Sequence, residues 1–323
     1  MAVTGVLGPS LTNCFPARLI GDGGVMTRQN GMSNLRIAAL AIAALSLIAV
    51  SAYAWAGSDQ QGSEREEFHK VYPLSAQGHV EIANVNGPVH IAAWDRPEVK
   101  VDAVKSAWSK ERLDEAKIQV EASPDRISIR TEYPGHDHTF NYGGAGEHNN
   151  PARVEYTVTV PRQANLDEIN LVNGRLDIQG VAGDVHASCV NGRLEARNLQ
   201  GRSELSTVNG SLDASVDQLP SSGLKLSSVN GSLHVTLPSD TNAELKASTM
   251  SGSISNEFGL PVTKHQYVGH SLHGQLGGGG AFVKLSNVNG AIEIRHASDG
   301  RPLSPAQNLE QDRGHDNDED DDD

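Results

Sequence analysis

Sulfur and aromatic side chains are scarce in this chain. Of its 323 residues, two are cysteine and 4% are aromatic. Cys14 precedes an apolar run and departs with it if that run is an export signal, which leaves Cys189 without a partner and excludes a disulfide framework. Positive charge is also short: 26 Lys and Arg face 40 Asp and Glu, a formal net charge of −14. Such a chain is repelled by nucleic acid and by anionic lipid. No nucleophile elbow, phosphate loop, dinucleotide fingerprint or zinc-protease helix occurs in it. The familiar routes to catalysis are missing, and no cofactor is implied.

Long hydrophobic runs are limited to one. Residues 37–50 are almost wholly apolar, Arg28 and Arg36 precede them, and Ala52-Tyr53-Ala54 and Ala54-Trp55-Ala56 follow with the small-x-small pattern of a signal-peptidase site. Residues 1–56 therefore read as an N-terminal extension and signal peptide, with Met26 or Met32 as alternative starts. The alternative is an uncleaved inner-membrane anchor through residues 37–56, just long enough to span a bilayer. No cysteine stands at the cleavage point, so a lipoprotein anchor is not expected. Without residues 1–56 the chain keeps 23 Lys and Arg against 39 Asp and Glu, a net charge of −16.

What the chain does contain is a returning phrase: a β-branched residue, Asn-Gly, then alternating apolar residues. It occurs at Val85-Asn86-Gly87, Val172-Asn173-Gly174, Val190-Asn191-Gly192, Val208-Asn209-Gly210, Val229-Asn230-Gly231 and Val288-Asn289-Gly290, with a degenerate copy at Met250-Ser251-Gly252. The central steps are 18, 18, 21 and 21 residues. A period near 20 marks an all-β repeat architecture, in which each unit buries its apolar face against its neighbours. Asn-Gly is also a strong hairpin signal, so a repeating antiparallel sheet is the alternative. The near-constant spacing favours a β-solenoid with Asn-Gly corners, since hairpins give no reason to return the same tripeptide at a fixed interval. The corner asparagines should then stack as a hydrogen-bonded ladder, and Asn209→Leu should strand buried polar groups at ~1–3 kcal/mol. Leu176, Ile178, Leu194, Leu205, Leu212, Leu224, Leu226, Leu233 and Val235 are the expected core. Cys189, in phase with Thr207 and Ser228, reads as a small core-facing filler.

Around the array, residues 71–104 alternate with the period of strands, 108–118 form the one convincing helical stretch, and 133–151 are a Gly/His/Asn-rich loop. Val154–Val160 reads as a strand, the regular array runs from Leu166 to Ala247, and an irregular loop spans Phe258–Gly280. One last rung, Phe282–Ile294, is expected to close a β-repeat domain spanning residues 71–297. Residues 298–323 read as a disordered acidic tail, with nine acids against Arg313 from Glu310 onward.

The Val-Asn-Gly-x-Leu/Ile units, Val158-Thr-Val-Pro161 ahead of the array, Val235-Thr-Leu-Pro238 within it, and a Gly-rich loop before Asn289-Gly290-Ala291-Ile292 together resemble the bacterial putative adhesin family. The resemblance covers roughly residues 74–296 and implies an exported or envelope protein of β-strand repeats. It supplies no catalytic residues, and the acidic tail departs from it.

Candidate chemistry is sparse. His136, His138 and His148 carry His-x-His with a nearby carboxylate, a weak metal-ligand pattern, and His265, His270 and His273 stand in the second loop. The tail lacks the glycine and late glutamate of a calcium loop and reads as a solubilising charged segment, with weak, nonspecific divalent-cation binding as the alternative. Asn209-Gly-Ser211 and Asn230-Gly-Ser232 match a glycosylation sequon, but the corner reading explains every copy, including Asn173-Gly-Arg175. Asp177, Glu195 and Asp213 recur at one phase and are expected as a solvent-facing acidic stripe. These features point to a non-enzymatic binding, adhesion or scaffolding surface of the cell envelope, in the periplasm or at the cell surface. Its partner would be an envelope protein, a glycan or a surface polymer. An accessory of envelope-stress signalling, or a carbohydrate-active enzyme on a β-helix scaffold, are the alternatives.

Overall fold

Period-two alternation of apolar and polar residues turns one face of a strand inward. In the computed structural model of this chain, which describes residues 64–133 and 151–309, almost every element is such a strand. The chain enters through β1 (Glu64–Pro73), β2 (His79–Asn86), β3 (Val89–Trp94) and β4 (Glu98–Ala107), followed by a short helix α1 (Lys110–Glu115). Next come β5 (Lys117–Ala122), β6 (Arg126–Glu132) and β7 (Arg153–Pro161). The array proper holds β8 (Asn165–Gln179), β9 (Val185–Arg197), β10 (Ser203–Asn209), β11 (Leu212–Ser215), β12 (Leu224–Asn230) and β13 (Leu233–Leu237). It continues with β14 (Ala243–Ser251), β15 (Ile254–Asn256), β16 (Thr263–Lys264), β17 (His270–Leu276), β18 (Ala281–Asn289), β19 (Ile292–His296) and β20 (Ala306–Asn308).

Each Asn-Gly corner divides a coil into one strand before it and one after it. The strands before the corner pair in parallel in the order β2, β8, β9, β10, β12, β18, β14. Those after it pair in parallel in the order β3, β8, β9, β11, β13, β19, β15. β8 and β9 run unbroken through their corners. The result is two facing walls of stacked coils, a β-solenoid. Antiparallel pairing is confined to the ends, where β4 joins β1 and β7, β5 joins β6, and β17 joins β14, β16 and β20.

Identical registers place like residues over like. Leu176, Leu194, Leu212, Leu233 and Ile292 form one interior column, and all are fully buried. The nine residues expected in the core are each 2% exposed or less. At about 25 cal/mol per Å² this apolar burial is the main favourable term holding the coils together.

Four local features depart from the sequence reading. The helix is shorter than 108–118: Ser109 caps it, its side chain accepting from the Arg112 backbone N–H at 3.4 Å, and the chain is already strand again at Lys117, where β5 pairs with β6. Strand structure begins before residue 71, the start expected from the sequence: β1 is a charged and mostly exposed strand that among the described residues pairs with β4 alone, the composition that keeps an edge from recruiting other chains. The irregular stretch Phe258–Gly280 contains β16 and β17, and β20 lies within residues 298–323. The last coil in sequence is also not the last in space. β17 occupies the outer edge of β14 as an antiparallel partner, so β18 and β19 fit on the inner side, between β12–β13 and β14–β15.

The corners set how closely coils approach. Gly192 has φ +152°, and a Cβ there would lie 1.6 Å from the Gly174 carbonyl oxygen. Gly210 and Gly231 repeat the arrangement, at 1.8 Å from Gly192 O and 1.9 Å from Gly210 O. Gly192→Ala is expected to cost roughly 3 kcal/mol or more, because a strained φ and a backbone collision act together. Gly259 has φ +78° with nothing within 4 Å of an added Cβ; Gly259→Ala should cost only about 1 kcal/mol. Urea unfolding midpoints of the two variants measure the difference.

Candidate functional site

The corner asparagines form a continuous ladder. Asn191 Nδ2 donates to Asn173 Oδ1 at 2.9 Å, Asn209 to Asn191 at 2.9 Å, Asn230 to Asn209 at 3.0 Å and Asn289 to Asn230 at 2.9 Å. Asn86 turns instead to the Pro151 carbonyl at 3.2 Å. Ser251 stands beside Asn289, and its carbonyl accepts from the Gly290 N–H at 2.8 Å. Gly87, Gly174, Gly192, Gly210, Gly231, Gly252 and Gly290 stand in the adjoining backbone column. Asn191, Asn209, Asn230 and Asn289 face solvent, so the expected stranding of buried polar groups on removal of Asn209 does not apply. The asparagine points outward because the glycine beside it occupies the crowded inner side of the turn.

Two residues before each corner asparagine lies a buried column: Asn84, Leu171, Cys189, Thr207, Ser228, Asn287 and Thr249. Several members donate to corner carbonyls of adjacent coils. Asn287 Nδ2 reaches Gly231 O at 2.8 Å, Thr249 Oγ1 reaches Gly290 O at 3.2 Å, and Cys189 Sγ lies 3.8 Å from Gly174 O. Asn84 makes the same contact with Gly87 O within its own coil, at 3.1 Å, and its Oδ1 accepts from Thr131, which in turn contacts the Tyr156 hydroxyl at 2.8 Å. Burial pushes the Cys189 thiol up to about 11, so it is protonated at neutral pH and serves as packing. The Val-Asn-Gly phrase hides this column, because its members share size and polarity but not identity.

The outer face after the corner carries the acidic stripe, extended by histidine at both ends: His90, Asp177, Glu195, Asp213, His234 and Glu293 stand in register. Asp177 and Asp213 are partly exposed on this face, whereas Glu195 departs from the solvent-facing stripe the sequence suggests and is buried. Arg175 lies 2.7 Å from Asp177 and 2.5 Å from Glu195, Arg197 also bonds Glu195, and Arg193 lies 3.0 Å from Asp213. These arginines cover Glu195, which is 8% exposed. Arg295 foremost, and then His234, hold Glu293 below the usual carboxylate range against its desolvation. Every acid in the row is paired, an arrangement suited to binding coils together and not to a tuned acid–base couple.

The outer face before the corner is different. Val190, Val208, Val229, Val288 and Met250 lie in one column, 37%, 40%, 39%, 37% and 60% exposed. Beside them runs a column of Ser188, Ser206, Ser227, Ser286 and Ser248, all half-buried or exposed. Beyond it stand His186, Glu204, Lys225, Lys284 and Lys246. At ~4.8 Å per coil the apolar column is on the order of 20 Å long. Contiguous exposed apolar side chains rimmed by polar ones mark an interaction surface.

His136, His138, His148 and residues 310–323 of the acidic tail lie outside the described residues. In the second loop, His265 contacts Ser271 at 3.0 Å and His273 contacts Glu244 at 2.8 Å, while His270 Nδ1 is enclosed without a partner. Among the described residues no cluster of three or more His, Cys, Asp or Glu is placed to hold a metal ion, and no helix is long and apolar enough to cross a membrane.

Residues 182–295, carrying five of the corner copies, match the family described as Toastrack DUF4097. The match bears out the resemblance to a putative adhesin family whose function is unknown. No curated protein matches the chain. Among solved structures, a putative cell adhesion protein from Clostridium sporogenes is similar at 15% identity and TM-score 0.44, over 72% of this chain and 100% of its own. A putative adhesin from Bacteroides fragilis is similar at 11% identity and TM-score 0.31, over 72% of this chain and 97% of its own.

Two outcomes follow from the corner geometry. Asn209→Leu removes two exposed hydrogen bonds and should lower stability by only about 1 kcal/mol, read as a small shift in thermal midpoint. In a Cys14→Ser background, Cys189 at pH 8 should resist a disulfide thiol reagent in the native state and react fully in denaturant. A thiol with a pKa near 11 is only about one part in a thousand thiolate at that pH.

Proposed function

We propose that this chain is an exported cell-envelope protein whose parallel-sheet face, before the corners, is a non-enzymatic binding or scaffolding surface. The observation that carries the reading is the apolar column Val190, Val208, Val229, Val288 and Met250, left exposed at 37–60% beside a row of serines. Interior positions of the same coils are filled to near-complete burial, so the exposure is not a general looseness of packing. A face that repeats one chemical pattern at ~4.8 Å intervals suits an extended partner, one chain of which contacts several coils at once. The pairing of the acidic row on the other wall supports a role without catalysis. The apolar run at residues 37–50 supports export, with an envelope protein, glycan or surface polymer as the partner.

The test is co-sedimentation with purified envelope fractions, sacculi and membranes assayed separately. The double variant V208S/V229S, which adds no charge to side chains about 40% exposed, should keep the thermal midpoint within a few degrees and should lose binding by at least about tenfold. Undiminished binding by the folded variant would remove this face from the function.

A further inference from the structure

The outer face before the corners also holds the least compensated positive charge in the array. Lys225, Lys284 and Lys246 stand on three adjacent strands in register, β12, β18 and β14, and all three are exposed. Lys225 is paired with Glu204. Neither Lys284 nor Lys246 has an ion-pair partner among the described residues. The next position in the row is His273 on β17, which faces Glu244. In a chain of formal net charge −14, two neighbouring unpaired lysines on a flat sheet are conspicuous.

The course of the chain brings a matching group to this row. β20 pairs with β17 as the outermost strand there, and the Leu309 N–H donates to the His273 carbonyl at 3.0 Å. From that point 14 residues remain, Glu310 to Asp323, with nine acids and a single arginine. They start from β20, two strand spacings from Lys246 on β14 and three from Lys284 on β18, about 10 and 15 Å at the spacing of a sheet. An extended segment of that length spans more than 40 Å at ~3.3 Å per residue, so reach is not limiting. Its net charge of −8 is opposite to that of the row.

We infer that the acidic C-terminal segment, residues 310–323, docks on the lysine row Lys246–Lys284–Lys225 of its own molecule and covers the part of this face next to the serine column. The inference stands apart from the binding role proposed above, since the contact is within one chain and needs no external partner. Its physical consequence is an electrostatic cover. It is held by several weak charge pairs, it is released by salt, and any more densely charged polyanion can displace it.

Zero-length carbodiimide coupling of the full-length protein, read by peptide mass spectrometry, tests the contact directly, because it joins only amines and carboxylates that touch. Mixing isotopically light and heavy protein separates bonds within a molecule from bonds between molecules. The expected result is tail carboxylates joined to Lys246 and Lys284 within one molecule, with a yield falling at least fivefold between 20 mM and 500 mM NaCl. In K246Q/K284Q, which alters only exposed side chains, tail cross-links to this row should disappear without gain elsewhere. Mixed-isotope products would make a second copy the occupant and overturn the inference. Cross-links spread evenly over the chain's other lysines, or none to the row, would overturn it as well.

Discussion

The structure depends on one steric constraint, the approach of successive backbones at the corner. Where Gly192 passes Gly174, the space a Cβ would need is occupied by a carbonyl oxygen. This contact aligns each coil with the one below it, and the rest follows from the alignment. With every corner in register, the asparagine beside each glycine meets another asparagine and the ladder forms. The residue two places earlier turns inward, within reach of a corner carbonyl. That explains why a buried column can mix Asn, Cys, Thr and Ser: the position asks for something small that tolerates or satisfies a nearby carbonyl. Gly183 and Gly201 repeat the constraint on the returning side, where an added Cβ would lie 2.2 Å from Ala164 O and from Gly183 O.

The same alignment gives the two walls opposite characters. After the corner, charged residues stack directly over one another, and like charges in such a row would repel at strand spacing. Arg175, Arg193 and Arg197 are placed so that each carboxylate meets a guanidinium, which turns a liability into cross-links between coils. Before the corner, valine and serine occupy the outward positions and little is neutralised. The protein therefore has one wall whose surface chemistry is consumed internally and one whose chemistry remains available.

The repeat, the corner tripeptide and the leucine core were legible in the sequence because each is a periodic signal. A fixed period near 20 separated parallel coils from hairpins even though Asn-Gly alone favours a hairpin. Other features lacked a local signature. The burial of Glu195 depends on Arg175 and Arg197 arriving from neighbouring positions and coils, which no single-copy pattern encodes. β1 was hidden by charges that suit an edge strand, since a strand with one free side does not need apolar alternation. The outward column of valines was in plain view as the first letter of the phrase, but an apolar residue beside a turn reads as core until its direction is known. The place of the last coil depends on which edge of β14 the β17 hairpin takes.

That placement gives the stack an order of assembly. From β8 to β13 each coil rests on the one just completed, so these layers can close as the chain becomes available, with short-range contacts leading. β14 and β15 break the sequence: they belong one layer further out than the coil before them, and their seat does not exist until residues 281–296 have filled the gap. The far end of the solenoid therefore works as a keystone. Its outer coil, β14 and β15, joins the parallel stack only through β18 and β19, strands that follow it in the chain, so that end is closed by contacts made backwards along the sequence.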